Sequence, residues 1–542
     1  MDGNSRSLVI IPPPTIVMLI GVLMIEKVDL LSKYYGCGYY NTRLPRILLS
    51  GCLTNEPNLF TLRLFARSRV KLQIFHEIHG GPQQMSGGSF NLVPKNVPKV
   101  DSKYRKIGTK IPVPESIPIL DELRKYEPVS MTGQPPIVWD RAEGVSVFDK
   151  WGNKWLDWSS GVLVTNAGHG RREIVEAICE QAQHGLLHNY CFPSEIRARL
   201  AKRLVELSPP EHEKAFILTT GSEATECALK LARTHGRSVG GDRKISMISF
   251  SNAFHGRTLG AQQMGGSPAL KEWIVNTDPS IVQVDFPDGF RCKETSFDHF
   301  LGQMEGQGVT PDGICGVITE TFQGGGASFA PVEYMQSLRN WCNDNNIVLI
   351  CDEIQAAFGR TGTHFFGYQH YGIVPDLITL GKGISSSMPI SAVVGRKDLL
   401  DQYPPGSMTS THTGNPLCCA AALTSIDLIE TEHLVSNAGR VGEVLQTELQ
   451  NIMHDYKDIV GACHGKGLVA GLQVVEAGTE SPDSQLALDV VQGCIEKGLL
   501  FFAPVGFGGG TVKIAPPLVI TEEAVLEGIG VLRESIAEAL AK

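Results

Sequence analysis

Residues 347–383 read IVLICDEIQAAFGRTGTHFFGYQHYGIVPDLITLGKG. Two apolar runs in this segment, residues 347–351 and 377–380, have the length of β-strands, and an ionisable residue follows each of them, Asp352 and Lys382. Short apolar runs bounded by turn residues are typical of strands buried on both faces of a parallel sheet. Ligands of such sheets bind beyond the carboxyl ends of the strands. The sequence therefore predicts that a carboxylate and an amine face one crevice.

The same pattern extends to both sides of this segment. Short apolar runs alternate with amphipathic segments of helical period, which predicts an α/β domain whose mostly parallel sheet is covered by helices. We assign this large domain to residues 161–416. The additional strands are predicted at residues 216–218, 245–250, 314–319 and 390–394.

The rest of the chain differs in pattern. Residues 417–542 are mostly helical in period, which suits a second, smaller domain, and they end in a helix predicted over residues 521–541. Residues 93–114 are rich in Lys and Pro, which predicts a solvated linker. Residues 1–92 show little periodicity, and we interpret them as a poorly patterned N-terminal extension.

The composition is that of a globular protein. Hydrophobic residues make up 42% and charged residues 19% of the 542 positions, which excludes disordered, collagen-like and small disulfide-rich chains. The 57 acidic residues outnumber the 48 basic ones, and the formal net charge is −9. Because binding to phosphate backbones requires clustered Lys and Arg, we expect no nucleic acid partner.

The cysteines and the N-terminal residues bear on localisation. The 13 cysteines are an odd number without any Cys-x-x-Cys pair, which indicates a reducing compartment, and we expect the protein to be cytoplasmic.

Residues 8–25 are uncharged and mostly apolar, but prolines at positions 12–14 interrupt them. The continuous part, residues 15–25, is shorter than the roughly 20 residues of a spanning helix, so no membrane anchor is expected.

The segment Thr220-Gly221-Ser222-Glu223 predicts the start of a helix directly after a strand. Thr220 and Glu223 have the spacing of a capping box, and apolar residues recur at helical spacing at positions 224, 227, 228, 231 and 232. Gly221 lets a ligand approach the backbone closely. The unpaired amides of a helix start favour an anion such as phosphate, although an ordinary capped helix has the same pattern.

These features have a common chemical use. Lys382 supplies an amine that burial can turn into a nucleophile, and Asp352 supplies a carboxylate that can hold a protonated ring nitrogen. With the anion site at Gly221, they form the combination that pyridoxal phosphate requires. A nucleotide site at the glycines 324–326 is not favoured, because the sequence contains no Gly-x-x-x-x-Gly-Lys-[Ser/Thr] pattern.

The ordered motifs resemble those of the class III pyridoxal-phosphate aminotransferases, a fold-type I group that includes 4-aminobutyrate, ornithine and acetylornithine aminotransferases. Residues 349–355, 358–362 and 375–383 carry the resemblance, which extends over about residues 111–541. It implies an α/β fold in which the large, cofactor-binding domain has a mostly parallel seven-stranded sheet covered by helices. A smaller α+β domain would come from both chain ends, with its N-terminal part in residues 93–160.

The resemblance also assigns roles in the cofactor site. Lys382 would be the covalent attachment point and general base, and Asp352 would pair with the ring nitrogen. The other expected cofactor contacts are Gly221 and Ser222 at the phosphate, Phe254 on the ring face with His255 beside it, Glu320 in the surrounding network, Gln355 near the ring hydroxyl, and Thr411 at the phosphate of a partner subunit. A homodimer with active sites shared across the interface is therefore expected, and no metal site.

The expected substrate contacts depart from the family pattern. Arg257 matches an arginine that receives a distal carboxylate in several members, and Val162 would line the pocket. Lys513 stands where most members have an arginine that binds an α-carboxylate, and Gly325 stands where they commonly have the glutamate that neutralises this arginine. Lysine offers a point charge instead of a planar fork.

The leading hypothesis is an aminotransferase that moves an amino group from an ω-amino acid resembling 4-aminobutyrate, or a related amine, to an α-keto acid by a ping-pong mechanism. The changed carboxylate site leaves racemisation, epimerisation or decarboxylation of an amino acid on the same fold as alternatives. A third alternative is a non-catalytic scaffold, against which the presence of both Lys382 and Asp352 argues.

Overall fold

The computed structural model describes residues 90–542. The expectations for the N-terminal extension up to residue 89, including the apolar residues 8–25, lie outside the described residues. Within residues 90–542, no helix combines the length and the apolar character that crossing a lipid bilayer requires.

The described chain contains eighteen β-strands and thirteen α-helices. In chain order the strands are β1 Val100–Asp101, β2 Lys106–Ile107, β3 Arg141–Glu143, β4 Ser146–Phe148, β5 Lys154–Asp157, β6 Lys214–Leu218, β7 Ser246–Phe250, β8 Ile281–Val284, β9 Ile314–Glu320, β10 Phe322–Gln323, β11 Ser328–Phe329, β12 Val348–Asp352, β13 Leu377–Leu380, β14 Ser391–Gly395, β15 Val460–Lys466, β16 Val469–Val474, β17 Leu499–Leu500 and β18 Thr511–Ile514. The helices are α1 Ile117–Tyr126, α2 Ser160–Leu163, α3 Arg172–Gln183, α4 Glu195–Leu207, α5 Gly221–Gly240, α6 Leu259–Met264, α7 Phe297–Gly306, α8 Val332–Asp344, α9 Lys397–Leu400, α10 Pro416–Thr431, α11 Leu434–Asp455, α12 Ser484–Glu496 and α13 Glu522–Leu540.

The central sheet has seven strands in the order β6-β14-β13-β12-β9-β7-β8. Only β14 runs antiparallel to its neighbours, β13 and β6. The remaining pairs are parallel. The expected mostly parallel, seven-stranded sheet is therefore confirmed, and the carboxyl ends of β6, β7, β9, β12 and β13 lie along one edge.

Helices cover both faces of this sheet. Successive strand residues point to opposite faces, so each strand contributes to two apolar clusters. On one face Val348 packs in a cluster with Ala228 of α5. On the other face Leu349 packs in a cluster with Leu338 of α8. This arrangement explains why the strand sequences are apolar without alternation.

Strand β8 is the member of the central sheet that the sequence did not predict. It is four residues long and lies at the edge, and among residues 90–542 it pairs only with β7. Gln283 interrupts its apolar residues and is only partly buried, as is Ile281. A short edge strand buried on one face does not produce the continuous apolar run that revealed the other strands.

The smaller domain is built from both ends of the described chain, as expected. One sheet has the order β1-β2-β5-β4-β3, and β17 joins it by pairing in parallel with β5. A second sheet contains β15, β16 and β18 in antiparallel order. The pairing of Leu499 with Leu156 joins the two chain ends in one sheet.

Residues 93–114 are anchored in the smaller domain instead of forming a free linker, whereas all five of their lysines are exposed, as expected of a solvated segment. Lys106–Ile107 pairs with β1 and with β5, and Ile107 and Ile111 are each 1% exposed. The basic residues that suggested solvation are partly neutralised, since Lys95 lies 2.6 Å from Glu496. Ile107 and Ile111 anchor this segment by packing into the core. Because such isolated aliphatic residues do not recur at the spacing of a helix or a strand, the sequence pattern did not reveal them.

Candidate functional site

A cavity of about 160 Å³ lies at the carboxyl edge of the central sheet. It brings together most of the predicted cofactor residues, although they are far apart in the sequence. Its lining consists of Thr220, Gly221, Ser222, Phe254, His255, Gly256, Glu320, Asp352, Ile354, Gln355 and Lys382.

Asp352 is the last residue of β12, and strand register decides its neighbours. It lies opposite Glu320 of β9 on one side and Thr379 of β13 on the other. Its Oδ1 accepts hydrogen bonds from the Thr379 hydroxyl at 3.1 Å and from the Ile354 amide at 3.1 Å. Its Oδ2 lies 2.8 Å from Nδ1 of His255. These contacts fix the carboxylate in one orientation at the wall of the cavity.

His255 is fully enclosed beside this carboxylate. Burial lowers its pKa, but the hydrogen bond and charge of Asp352, together with the charge of Glu320, outweigh burial, so that the pKa of His255 is raised above its ordinary value. Its Nε2 is buried without a hydrogen-bond partner among the described residues. His255 therefore stabilises negative charge on Asp352 and leaves one ring nitrogen available to a bound group.

Glu320 ends β9 and anchors two loops. Its carboxylate accepts hydrogen bonds from the amides of Phe254 at 3.0 Å and Gly324 at 2.9 Å. Burial raises the pKa of Glu320, while the positive charge of His255 and these amides oppose the rise. Nε2 of Gln355 lies 3.5 Å from the same carboxylate. Glu320 thus connects the loops after β7, β10 and β12.

Lys382 lies in a single turn directly after β13, between Gly381 and Gly383. Its φ of 43° lies in the left-handed region, where non-glycine residues are uncommon. The second glycine is required because a Cβ on Gly383 would lie 2.5 Å from Nδ2 of Asn166. Burial lowers the pKa of Lys382, and the charges of Asp352 and Glu320 only partly oppose this effect. The amine is therefore closer to its neutral, nucleophilic form than an exposed lysine.

An anion cradle lies at the start of α5. Thr220 caps the helix, and its capping box with Glu223 is formed as predicted. Within residues 90–542, no acceptor is bound to the amides of Gly221 and Ser222. A Cβ on Gly256, whose φ is 133°, would lie 2.2 Å from the Ser222 hydroxyl oxygen. Glycine is therefore needed for the loop after β7 to close against this helix start.

These residues fit pyridoxal phosphate. The cradle offers free amides and a hydroxyl to a phosphate, and the cavity wall offers a carboxylate for a ring nitrogen. Lys382 supplies a partly desolvated amine. The unpartnered Nε2 of His255 is a further polar atom that a bound molecule can satisfy.

Four predicted residues do not line this cavity. Val162 lies in α2, a single turn whose residues have positive φ, and is 44% exposed. Arg257 is exposed, with its guanidinium 5.7 Å from the centre of the Phe254 ring. Thr411 is exposed in the loop before α10. Lys513 lies behind Gln355, to whose Oε1 it donates a hydrogen bond of 2.7 Å.

The side chain of Lys513 is more deeply buried than its predicted role as a substrate contact suggested. Its Nζ donates to the carbonyl of Gly324 as well as to Gln355, and the side chain is buried. Burial lowers the pKa of Lys513 to about 7, although the charge of Glu320 acts in the opposite direction. Lys513 therefore holds the amide of Gln355 in this structure.

Sequence reasoning missed Ile354, Gly256 and Thr379. Ile354 lines the cavity and lies so close to Gly221 that a Cβ there would lie 2.8 Å from its Cδ1. Gly256 follows His255 directly, so the Phe-His-Gly motif at residues 254–256 could have indicated that Gly256 also lines the cavity. The contact of Thr379 with Asp352 depends on the register of two strands, for which the sequence carries no local signal.

Comparison with known proteins identifies the family of this chain. Residues 129–536 match the family model "Aminotransferase class-III". The chain is 30% identical over 450 residues to the 4-aminobutyrate aminotransferase of Mycobacterium leprae, which covers 80% of this chain and 98% of that protein. It is also 30% identical over 428 residues to the leucine/methionine racemase of Thermococcus litoralis, covering 77% of this chain and 94% of the racemase.

A solved structure shows the same architecture. The ornithine aminotransferase of Toxoplasma gondii superposes with a TM-score of 0.70 and 26% identity, covering 79% of this chain and 96% of that one. The family model spans most of the chain, and the relatives are covered almost completely. The chain therefore belongs to the class III aminotransferases, which depend on pyridoxal phosphate, and it is an enzyme of the transaminase type.

Proposed function

We propose that this enzyme binds pyridoxal phosphate in the cavity and transfers an amino group from an ω-amino acid or related amine to an α-keto acid in a ping-pong cycle. The supporting observation is that Lys382 and Asp352 line one cavity together with the anion cradle at Gly221 and Ser222. An amine, an acid and a phosphate site converge within a volume that suits one small molecule.

Each residue has a distinct task in this proposal. Pyridoxal phosphate supplies an aldehyde that condenses with amines and a ring that withdraws electrons from the substrate carbon. Asp352, with His255 behind it, stabilises a proton on the ring nitrogen. Lys382 would hold the cofactor, and its amine of lowered pKa would serve as the base that moves the proton of the substrate carbon.

Three observations support an ω-amino acid or a related amine as donor. Arg257 makes no ion pair with a carboxylate of the described residues, so its exposed guanidinium beside Phe254 is available for a distal carboxylate. Lys513 is occupied by Gln355 and by the carbonyl of Gly324. Gly325 provides no carboxylate. An α-carboxylate therefore meets a weaker site here than an arginine would provide.

A homodimer is part of the proposal. Thr411 is exposed, and it follows an exposed loop that borders α5, where Ser410 lies 3.5 Å from Glu223 of the capping box. The threonine is thus beside its own cradle without lining it. This placement is compatible with Thr411 reaching the phosphate of a partner subunit, as the family resemblance implies.

The two half-reactions provide the test. The holoenzyme is incubated with one amine at a time, such as 4-aminobutyrate, ornithine or an α-amino acid, without any acceptor. We expect an ω-amine to release one equivalent of oxo product per active site and to change the cofactor absorbance, which pyruvate or 2-oxoglutarate then restores. Failure of every amine to yield an oxo product would refute transamination.

The same incubation distinguishes the alternative reactions. Racemisation is the second candidate, because the Thermococcus litoralis relative is a racemase and the α-carboxylate site of this chain is altered. It would invert the configuration of an α-amino acid without an acceptor and without an oxo product. Decarboxylation would release carbon dioxide.

A substitution at Lys513 tests the acceptor site. We expect Lys513→Arg to lower the KM for an α-keto acid by about tenfold, because a guanidinium offers a bidentate fork to the carboxylate whereas an ammonium offers a point charge. The measurement is steady-state kinetics with the keto acid varied at saturating amine. Lys466→Arg, on an exposed position of β15, is the matched control and should leave this KM unchanged. An unchanged KM in Lys513→Arg would place the keto acid carboxylate elsewhere.

A further inference from the structure

Three side chains of different chemistry converge on the segment between β8 and α7, away from the cofactor cavity. Asp285 directly follows β8, Cys292 lies in the connecting loop, and His299 lies in the first turn of α7. One ligand atom from each lies within 4.8 Å of the other two. None of the three residues lines the cofactor cavity.

Backbone hydrogen bonds hold this loop in shape. Oδ1 of Asp288 accepts the amides of three successive residues, the last of which is Cys292 at 3.0 Å. The hydroxyl of Ser296 caps α7 by accepting the amide of His299 at 3.2 Å. The thiol and the imidazole are therefore positioned by ordered turns.

Gln303, one helical turn after His299, holds two of the three side chains together. Its Nε2 donates to Oδ2 of Asp285 at 2.6 Å and lies 3.0 Å from Nε2 of His299. Its Oε1 accepts the backbone amide of Asp285 at 2.8 Å. These hydrogen bonds hold Asp285 and His299 side by side, and a metal ion bound through Asp285 Oδ2 and His299 Nε2 displaces the Gln303 amide from both atoms.

We propose that Asp285, Cys292 and His299 bind a divalent transition metal ion of the zinc type. A thiolate, an imidazole and a carboxylate form a donor set that zinc accepts, whereas magnesium and calcium prefer oxygen donors alone. Zinc bonds of about 2.0–2.3 Å require donor atoms roughly 3.5 Å apart, so a closure of about 1 Å completes the site. The charges of the thiolate and carboxylate balance that of the metal, and a water molecule takes the fourth position.

Binding would stiffen a loop that contacts the smaller domain. Phe290 packs with Ala462 and Val475 beside β15 and β16. Lys293 lies 2.7 Å from the carboxylate of Glu480. Phe290 and Lys293 both lie in the stretch of chain between Asp285 and His299. The metal therefore acts on the contact between the loop and the smaller domain and takes no part in the transfer reaction.

The test measures zinc bound to the purified holoenzyme. After equilibrium dialysis against a low zinc concentration, we expect one zinc ion per chain by elemental analysis. X-ray absorption at the zinc edge should show one sulfur and otherwise nitrogen or oxygen ligands. Cys292→Ser should remove the sulfur signal, and Cys292→Ser, His299→Ala and Asp285→Asn should each lower the bound zinc at least tenfold at the same free concentration.

The control is Cys191→Ser, which removes an exposed cysteine outside the cluster and should leave both readouts unchanged. Circular dichroism establishes that each variant is folded, and Asp285→Asn preserves the shape of the replaced side chain. Equal zinc content in the wild type and all three cluster variants, or a zinc spectrum without sulfur in the wild type, would overturn the proposal.

Discussion

Replacement of Lys382 by alanine is expected to lower kcat by at least about 10³-fold for every active amine, since the variant loses both the covalent anchor and the general base. Lys382 lies at the cavity wall, and burial lowers the pKa of its amine. The variant should still bind pyridoxal phosphate non-covalently through the cradle, with an absorbance spectrum that differs from that of the lysine-bound form. Stopped assays of oxo product and absorbance spectroscopy measure the two effects.

Two further variants isolate the cause. Lys382→Arg keeps a cation in the cavity but cannot form the covalent bond, so its activity should be equally low. Lys397→Ala removes an exposed lysine that pairs with Asp401 on the surface, and its activity should be unchanged. Wild-type turnover by the alanine variant, together with the spectrum of a lysine-bound cofactor, would assign the attachment to a different residue.

Replacement of Asp352 by asparagine is expected to reduce kcat by about 10²- to 10³-fold with little loss of stability. Asparagine has the same shape and keeps an oxygen for the Thr379 hydroxyl and the Ile354 amide. It removes the negative charge beside His255, which in the proposed mode of binding would face the ring nitrogen of the cofactor. Without that charge, the ring loses its proton more readily and withdraws electrons less effectively. Single-turnover kinetics with a saturating amine measure the chemical step directly.

Asp376 provides the matched control because it is also a buried aspartate beside a strand of the central sheet. Its carboxylate lies 2.8 Å from Arg339 and 2.7 Å from Arg396 and does not line the cavity. Asp376→Asn leaves the buried Arg339 without its counter-charge, which should cost about 3–5 kcal/mol of unfolding free energy. Its kcat should remain near that of the wild type. Equal kinetic losses in both aspartate variants would show that Asp352 acts through stability alone.

Much of the central domain could be predicted because its signals are local. The apolar runs that end at Leu218, Phe250 and Leu380 predicted strands that end at the same residues. The capping box at Thr220 predicted the first residue of α5. A buried strand and a helix start are encoded within a few consecutive residues, through side-chain period and short-range hydrogen bonding.

The contacts inside the candidate site could not be predicted as well from the sequence. The pairing of His255 with Asp352 joins residues 97 positions apart, and that of Lys513 with Gln355 joins residues 158 positions apart. The family resemblance implied roles at the cofactor for His255, Asp352 and Gln355 and a role at the substrate for Lys513, but it did not say which of them bond to each other. The side chain of Lys513 turns to Gln355 because a buried amine requires acceptors, and the loop after β10 supplies a second acceptor, the carbonyl of Gly324.

The amino-acid sequence by itself determined the strand and helix pattern of the large domain, the family motifs and the chemical inventory of an amine, an acid and an anion cradle. Only the tertiary structure decided that Lys106–Ile107 pairs with β5 inside the smaller domain, that Thr379 orients Asp352, and that Asp285, Cys292 and His299 meet. The physical reason is that local patterns depend on neighbouring residues, whereas strand register and loop packing depend on the free energy of the whole folded chain.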